Sequence, residues 1–155
     1  MNFQVKALSR DPFEHLFSLS EDELAKHRAV RQRVTKTPGT PCRVSLQDAA
    51  PGEEVILLHF VHQPAESPFH ASHAIYVRTN AQQAKPAPNE IPNFLRTRLL
   101  SVRAFDANGM MLNADVAEGT EVEHLIATSF GLPMVDYLHI HNARQGCYLA
   151  RVDRV

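Results

Sequence analysis

Residues 98–116 read RLLSVRAFDANGMMLNADV, and this stretch decides the fold. Two apolar runs flank Ala107-Asn108-Gly109. An Asn-Gly pair between such runs is the strongest short-range sign of a β-hairpin. The spacing predicts a strand over 98–106, a turn, and a returning strand over 110–116. A second hairpin is expected near the C-terminus, with strands over 136–141 and 147–153 joined by residues 142–146. Upstream, EVILLHFVH (54–62) is nearly all apolar and only nine residues long, which reads as a strand covered on both faces. HAIYVR (73–78) is rich in β-formers, and 42–46 reads as a further short strand.

Helices belong mainly to the start of the chain. Asp11-Pro12 has the form of an N-cap followed by proline at the first helical position. Ser20 and Glu23 form a capping box opening a helix that should run to about residue 30. Thr120 and Glu123 form another, opening a helix that ends near Phe130, before Gly131 and Pro133. Helices first, then hairpin-joined strands, then one late helix describe an α+β fold. The expectation is a single domain over 1–155, with one largely antiparallel sheet of about six strands and two or three helices. Residues 80–92, NAQQAKPAPNEIP, hold three prolines and are expected to be a mobile loop. No Rossmann glycine pattern and no P-loop occurs.

Composition narrows the function. The chain has 155 residues, 44% hydrophobic and 21% charged, which suits a globular domain that needs no staples. Lys+Arg number 16 against 17 Asp+Glu, so there is no concentrated basic footprint and nucleic acid is not an expected partner. No stretch approaches the ~18 apolar residues of a membrane span. Arg10 and Asp11 interrupt the place where a signal peptide would need its apolar core, so a cytoplasmic location is expected. Cys42 and Cys147 are too few for a disulfide framework and read as small buried hydrophobes.

The unusual feature is histidine. Of nine, four fall between 59 and 73, and two form His139-Ile140-His141. On a strand, residues two apart share a face, so His139 and His141 point together, alongside Tyr137. A strand-borne His-x-His offers a metal two nitrogen ligands, and Zn, Fe, Ni and Mn all accept imidazole. His59 and His62 are three apart and face opposite ways unless the strand bulges or ends between them. His59, His70 and His73 are therefore the nominated sources of further ligands, with Asp136 and Cys147 as nearby alternatives. Equally, the histidines could line a metal-free pocket or simply hydrogen-bond their neighbours.

Arg43, Arg103 and Arg144 each lie in or beside a strand-like run, and a guanidinium fork suits carboxylate or phosphate. With His73 they are the expected lining of a pocket for a small anionic ligand. The bland explanation is internal ion pairing, for example Arg103 with Asp115. Nucleophile motifs are weak. Cys147 could meet His141 across the hairpin, but no orienting residue or oxyanion hole accompanies it.

The segments PCRVSL (41–46), HFVHQPAESPFHASHAIYVR (59–78), LLSVRAFDANGMMLNADV (99–116) and HIHNARQGCYLARVDR (139–154) resemble a bacterial family of small proteins, domain-of-unknown-function family 1203. The resemblance implies a bacterial origin and a single-domain size, and it carries no activity, cofactor or catalytic residue. Two functions remain from the residues themselves. One is a module binding a small anionic molecule between histidine and arginine. The other is a hydrolase-like enzyme whose His-x-His holds a divalent metal that activates water or polarises substrate.

Overall fold

The structure is a computed structural model and describes residues 2–155. In chain order the elements are β1 (Phe3–Lys6), α1 (Asp11–Glu14), α2 (Glu21–Lys26), β2 (Ala29–Arg33), β3 (Pro41–Cys42), β4 (Gln47–Asp48), β5 (Glu54–Gln63) and β6 (Ala71–Arg78). They continue with α3 (Asn93–Arg96), β7 (Leu99–Phe105), β8 (Met111–Glu118), a 3-10 turn (Gly119–Glu121), α4 (Val122–Phe130), β9 (Tyr137–Asn142) and β10 (Tyr148–Arg154).

The α+β class holds, but the single six-stranded sheet does not. There are two sheets of five strands, ordered β1-β10-β9-β7-β8 and β2-β5-β6-β3-β4, with four short helices. Pairing is antiparallel except where Cys42 of β3 meets Tyr76 of β6 in parallel. The extra strands come from segments that composition disguises. Phe3–Lys6 pairs with Arg154–Arg151, and the arginine-bearing Ala29–Arg33 pairs with Leu58–Glu54. The second of these shortens the expected helix. The Ser20–Glu23 capping box forms as read, yet α2 stops at Lys26 because residues from Ala29 onward find ladder bonds on β5. Residues 42–46 are mostly a turn between two-residue strands.

The central hairpin forms where expected. The Asp106 carboxylate accepts hydrogen bonds from the backbone N–H of Asn108 and Met110, both at 2.9 Å, and Gly109 takes φ of 77°. A Cβ on Gly109 would lie 2.3 Å from the Ala65 side chain, so glycine here also admits the loop between β5 and β6. Ser67 Oγ, in that loop, donates to the Gly109 carbonyl at 2.8 Å.

Each sheet buries an apolar face under helices. On the first, Leu100, Val102, Leu138, Ile140 and Val152 pack with Val122, Ile126 and Phe130. On the second, Ile56, Leu58, Ile75 and Val77 pack with Phe13, Leu16 and Leu24. Residues 80–92 are tied down by buried Ala81 and Ile91 and by backbone bonds from Ala84 to Val44 and from Asn89 to Phe3, which is more anchoring than their composition implies.

Candidate metal centre

The other face of the first sheet is where the histidines stand. Register places Arg103, His139 and Arg151 in one row across β7, β9 and β10, and Ser101, His141 and Tyr148 in the next. His139 and His141 therefore share a face, as alternation requires, with ring centroids 6.1 Å apart. His139 is 3% exposed and His141 not at all.

The third imidazole comes from the second sheet, and it is His62. Along β5, Ile56, Leu58 and Phe60 point to the helix-covered side, and His62 continues that face. The register then slips, with Val61 opposite Ser72 but Gln63 opposite Ala71, so His62 is the extra residue of a β-bulge. A bulge bends its strand and re-aims side chains. Here His62 keeps the inward face and Gln63 is turned to the same side, toward the first sheet. His62 meets His141 at 4.8 Å and His139 at 6.0 Å between ring centroids, and Gln63 Nε2 donates to the Tyr137 hydroxyl at 2.9 Å.

One ring nitrogen from each of His62, His139 and His141 lies within 4.8 Å of the others. Ligand bonds of about 2.0–2.1 Å to a tetrahedral ion need nitrogens roughly 3.4 Å apart, so the rings close on an ion by sub-ångström side-chain movement. His62 Nδ1, His139 Nδ1 and His141 Nε2 are buried and have no hydrogen-bond partner among the described residues. A buried polar atom left in this state costs about 1–3 kcal/mol. The tautomer of His141 is fixed by its surroundings. Its Nδ1 is 2.9 Å from the Gly146 carbonyl, which can only accept, so Nδ1 carries the proton and Nε2 presents a lone pair. Holding a ligating imidazole through its far N–H is how metal sites orient their histidines.

Electrostatics keep these rings neutral, the form that ligates. Burial first, then Arg103 and His73, lowers the His62 pKa to about 4. Burial, then the neighbouring histidines and arginines, lowers that of His139 to about 3. Burial lowers that of His141 to about 3 against the opposing hydrogen bond to Gly146. Tyr148 braces all three, stacked on His62 at 5.6 Å and 9° and meeting His139 and His141 edge-on at 5.2 and 5.9 Å. A cavity of about 540 Å³ opens beside His62 and His139, lined also by Tyr137, Tyr148 and Arg151.

A family model described as Protein of unknown function (DUF1203) matches residues 39–154. The chain belongs to this family. No curated protein and no solved structure matches it. All three histidines of the cluster, and Arg103 and Tyr148 beside them, fall inside the matched span of this DUF1203 chain, whereas β1, α1, α2 and β2 precede it.

The remaining nominated residues are placed elsewhere. His59 is exposed on the face of β5 opposite His62, and His70 is exposed in the following loop with Nδ1 3.3 Å from the Ala65 carbonyl. Both ring nitrogens of His73 face carbonyl oxygens, of Ala74 at 3.0 Å and Gln145 at 3.1 Å. Cys147 Sγ accepts from Asn142 Nδ2, and Asp136 is exposed at the rim of the cavity. Arg43 is fully buried and its hydrogen bonds go to backbone carbonyls, not to the histidines. It ties the sheets together, donating to the Tyr148 carbonyl at 2.7 Å and the Pro41 carbonyl at 2.6 Å. Arg144 is exposed in the β9–β10 turn, at a separate depression of about 350 Å³. The sequence allows only one of His59 and His62 into a single site on a regular strand, and of the two it is His62, not the nominated His59, that the structure brings to His139 and His141. The usable signal was parity with Ile56, Leu58 and Phe60, which marks the inward face.

No helix among the described residues is long and apolar enough to cross a membrane.

Proposed function

We propose that His62, His139 and His141 bind a divalent transition metal, of the Zn, Fe, Ni or Mn kind, and that the protein is a metal-dependent enzyme acting in the adjoining cavity. The observation behind this reading is the set of three imidazoles, two buried and one half-buried, each with an enclosed nitrogen that has no partner among the described residues, with ligating nitrogens within 4.8 Å of one another. In a hydrogen-bonded structural role these nitrogens would have partners. In a solvated role they would not be buried.

Three neutral ligands leave an ion its full double charge and leave coordination positions free, the arrangement of catalytic rather than structural sites. Such an ion lowers the pKa of bound water and polarises carbonyl or phosphoryl oxygen, which is hydrolase-like chemistry. The chain's part is to hold the rings neutral by burial, to fix His141 through Gly146, and to wall the site with Tyr148 and Tyr137. Binding of a small anion is the companion reading. It is favoured by the arginines on either side of His139 and is compatible with a metal in the same place.

The test is elemental analysis of protein purified without a histidine tag and then loaded with each metal in turn. About one ion per chain is expected, lost in a folded His139→Ala/His141→Ala variant and in His62→Ala. No stoichiometric uptake of any of the four metals by the folded wild type would sink the proposal.

A further inference from the structure

His139 sits between two arginines, and they are not equivalent. Arg151 on β10 is already committed: Nε pairs with Asp153 Oδ1 at 2.6 Å, and the guanidinium lies 3.9 Å above the Tyr137 ring. Arg103 on β7 has only Ser101 Oγ, 3.4 Å from Nε, and forms no ion pair among the described residues. Asp115, the partner foreseen for it, instead accepts from the Val116 backbone N–H.

Arg103 is half-buried, and a guanidinium in that position ordinarily has a carboxylate or several carbonyls around it. Its charge is nonetheless close enough to act on all three histidines, opposing a proton on each. Directly opposed residues of an antiparallel pair share a face with Cβ atoms about 4.5–5.5 Å apart, so Arg103 stands beside His139. Placing an uncompensated cation next to three groups that would hold a doubly charged ion raises the local potential further. An anion relieves it, and no carboxylate of the described residues pairs with Arg103.

We propose that Arg103 is the anion-binding residue of this centre, and that the ligand meeting the metal is a small molecule bearing a carboxylate or phosphate group. This rests on the metal reading of the histidine cluster. One oxygen of the anion meets the ion and another takes the Arg103 fork, whose paired N–H groups match either oxyanion. The cavity opens on the Arg151 side of His139, so the anionic head reaches past the ion to Arg103 and the rest of the molecule stays in the cavity. A volume of about 540 Å³ suits a small molecule and not a polymer.

The experiment uses the full chain loaded with Co(II), whose visible spectrum reports its ligands. Wild type, Arg103→Met, Arg103→Lys and Arg151→Met are titrated with inorganic phosphate and, separately, with acetate and oxalate. Wild type should show a saturable spectral change with at least one of them, which also separates phosphate from carboxylate as the preferred head. Arg103→Met should keep its cobalt and weaken that response about tenfold or more, the worth of a charge-assisted hydrogen bond. Arg103→Lys should fall between, and Arg151→Met should respond nearly as wild type. An anion response equal in wild type and Arg103→Met, or no response to any anion by the cobalt-loaded wild type, overturns the role of Arg103 and leaves the metal centre standing. Failure of the folded wild type to take up cobalt overturns the metal centre itself, and with it this inference.

Discussion

The two faces of β9 are equally buried and chemically opposite. Leu138 and Ile140 point one way, completely enclosed among Leu100, Val102 and α4; His139 and His141 point the other way, 3% and 0% exposed, among aromatic rings and arginine. Alternation of side chains along one strand thus separates a face that stabilises the fold from a face that costs it. Apolar side chains gain about 25 cal/mol for each Å² removed from water. Imidazoles buried with an unpartnered nitrogen gain less and lose a hydrogen bond to solvent. A strand that carries both at two-residue spacing is using the first face to hold the second in place.

The largest effects should come from the apolar face. Leu138→Ala or Ile140→Ala should lower unfolding stability by about 2–5 kcal/mol, read from denaturant midpoints, with or without metal. On the other face the sign should depend on metal. In chelator-treated protein, His141→Leu should be neutral or mildly stabilising, because it removes an unpartnered nitrogen and forfeits only the bond to Gly146. The same change should abolish metal uptake. Equal losses of stability from Ile140→Ala and His141→Leu in metal-free protein would erase the distinction between the faces.

Acid should also act on the histidine face alone. In the metal-free folded state His139 and His141 titrate near pH 3 and His62 near 4, whereas in the unfolded chain they titrate near 6.5. Between these limits the unfolded state binds more protons, so stability is retained above about pH 6.5 and is lost as pH falls toward 3. Each group contributes a slope of up to about 1.4 kcal/mol per pH unit. Chelator-treated protein should therefore show a denaturation midpoint that declines steeply below pH 6.5. A variant lacking His139 and His141 should show a shallower decline. A flat profile from pH 7 to 4 in both would mean that the rings are not held neutral by burial.

Metal should add a smaller increment. At a free concentration about 100 times its dissociation constant, a ligand specific to the folded state stabilises by about 2.7 kcal/mol. The thermal midpoint of the wild type should rise with added Zn or Ni, and that of His62→Ala should not. This variant sharpens the comparison because His62 belongs to the second sheet. Loss of the metal-dependent rise on altering β5 would show that both sheets supply the centre.

Much of this was legible in the residues. The hairpin at 98–116 is written in Asp106, Asn108 and Gly109, local turn chemistry that needs no tertiary information. The shared face of His139 and His141 follows from the period of a strand. What could not be read was tertiary. Ala29–Arg33 has too many charged residues to look like a strand, and it becomes one because β5 offers it a ladder. That one sheet splits into two depends on pairings between residues far apart in sequence, such as Phe3 with Arg154. His62 shares the inward parity of Ile56, Leu58 and Phe60, and what could not be read is that this end of β5 meets the first sheet, where a one-residue bulge turns Gln63 the same way.

The two faces of β5 frame the smallest effect, which is also the sharpest control. His59 and His62 are three positions apart on one strand, and a metal site drawn from an undistorted strand could take only one of them. The structure leaves His59 exposed beside Val61 and turns His62 inward, and it leaves His70 exposed in the loop beyond. Exposed side chains free of special contacts change stability by no more than about 0.5 kcal/mol when replaced. His59→Ala and His70→Ala should accordingly keep wild-type stability and wild-type metal content, measured by denaturation and elemental analysis on the same preparations. His62→Ala, three residues along and on the opposite face, should keep its fold and lose the ion. Were His59→Ala to lose the metal while His62→Ala retained it, the assignment of inward and outward faces on β5 would be reversed. The inward face of β5 would then have to be redrawn from Phe60 onward.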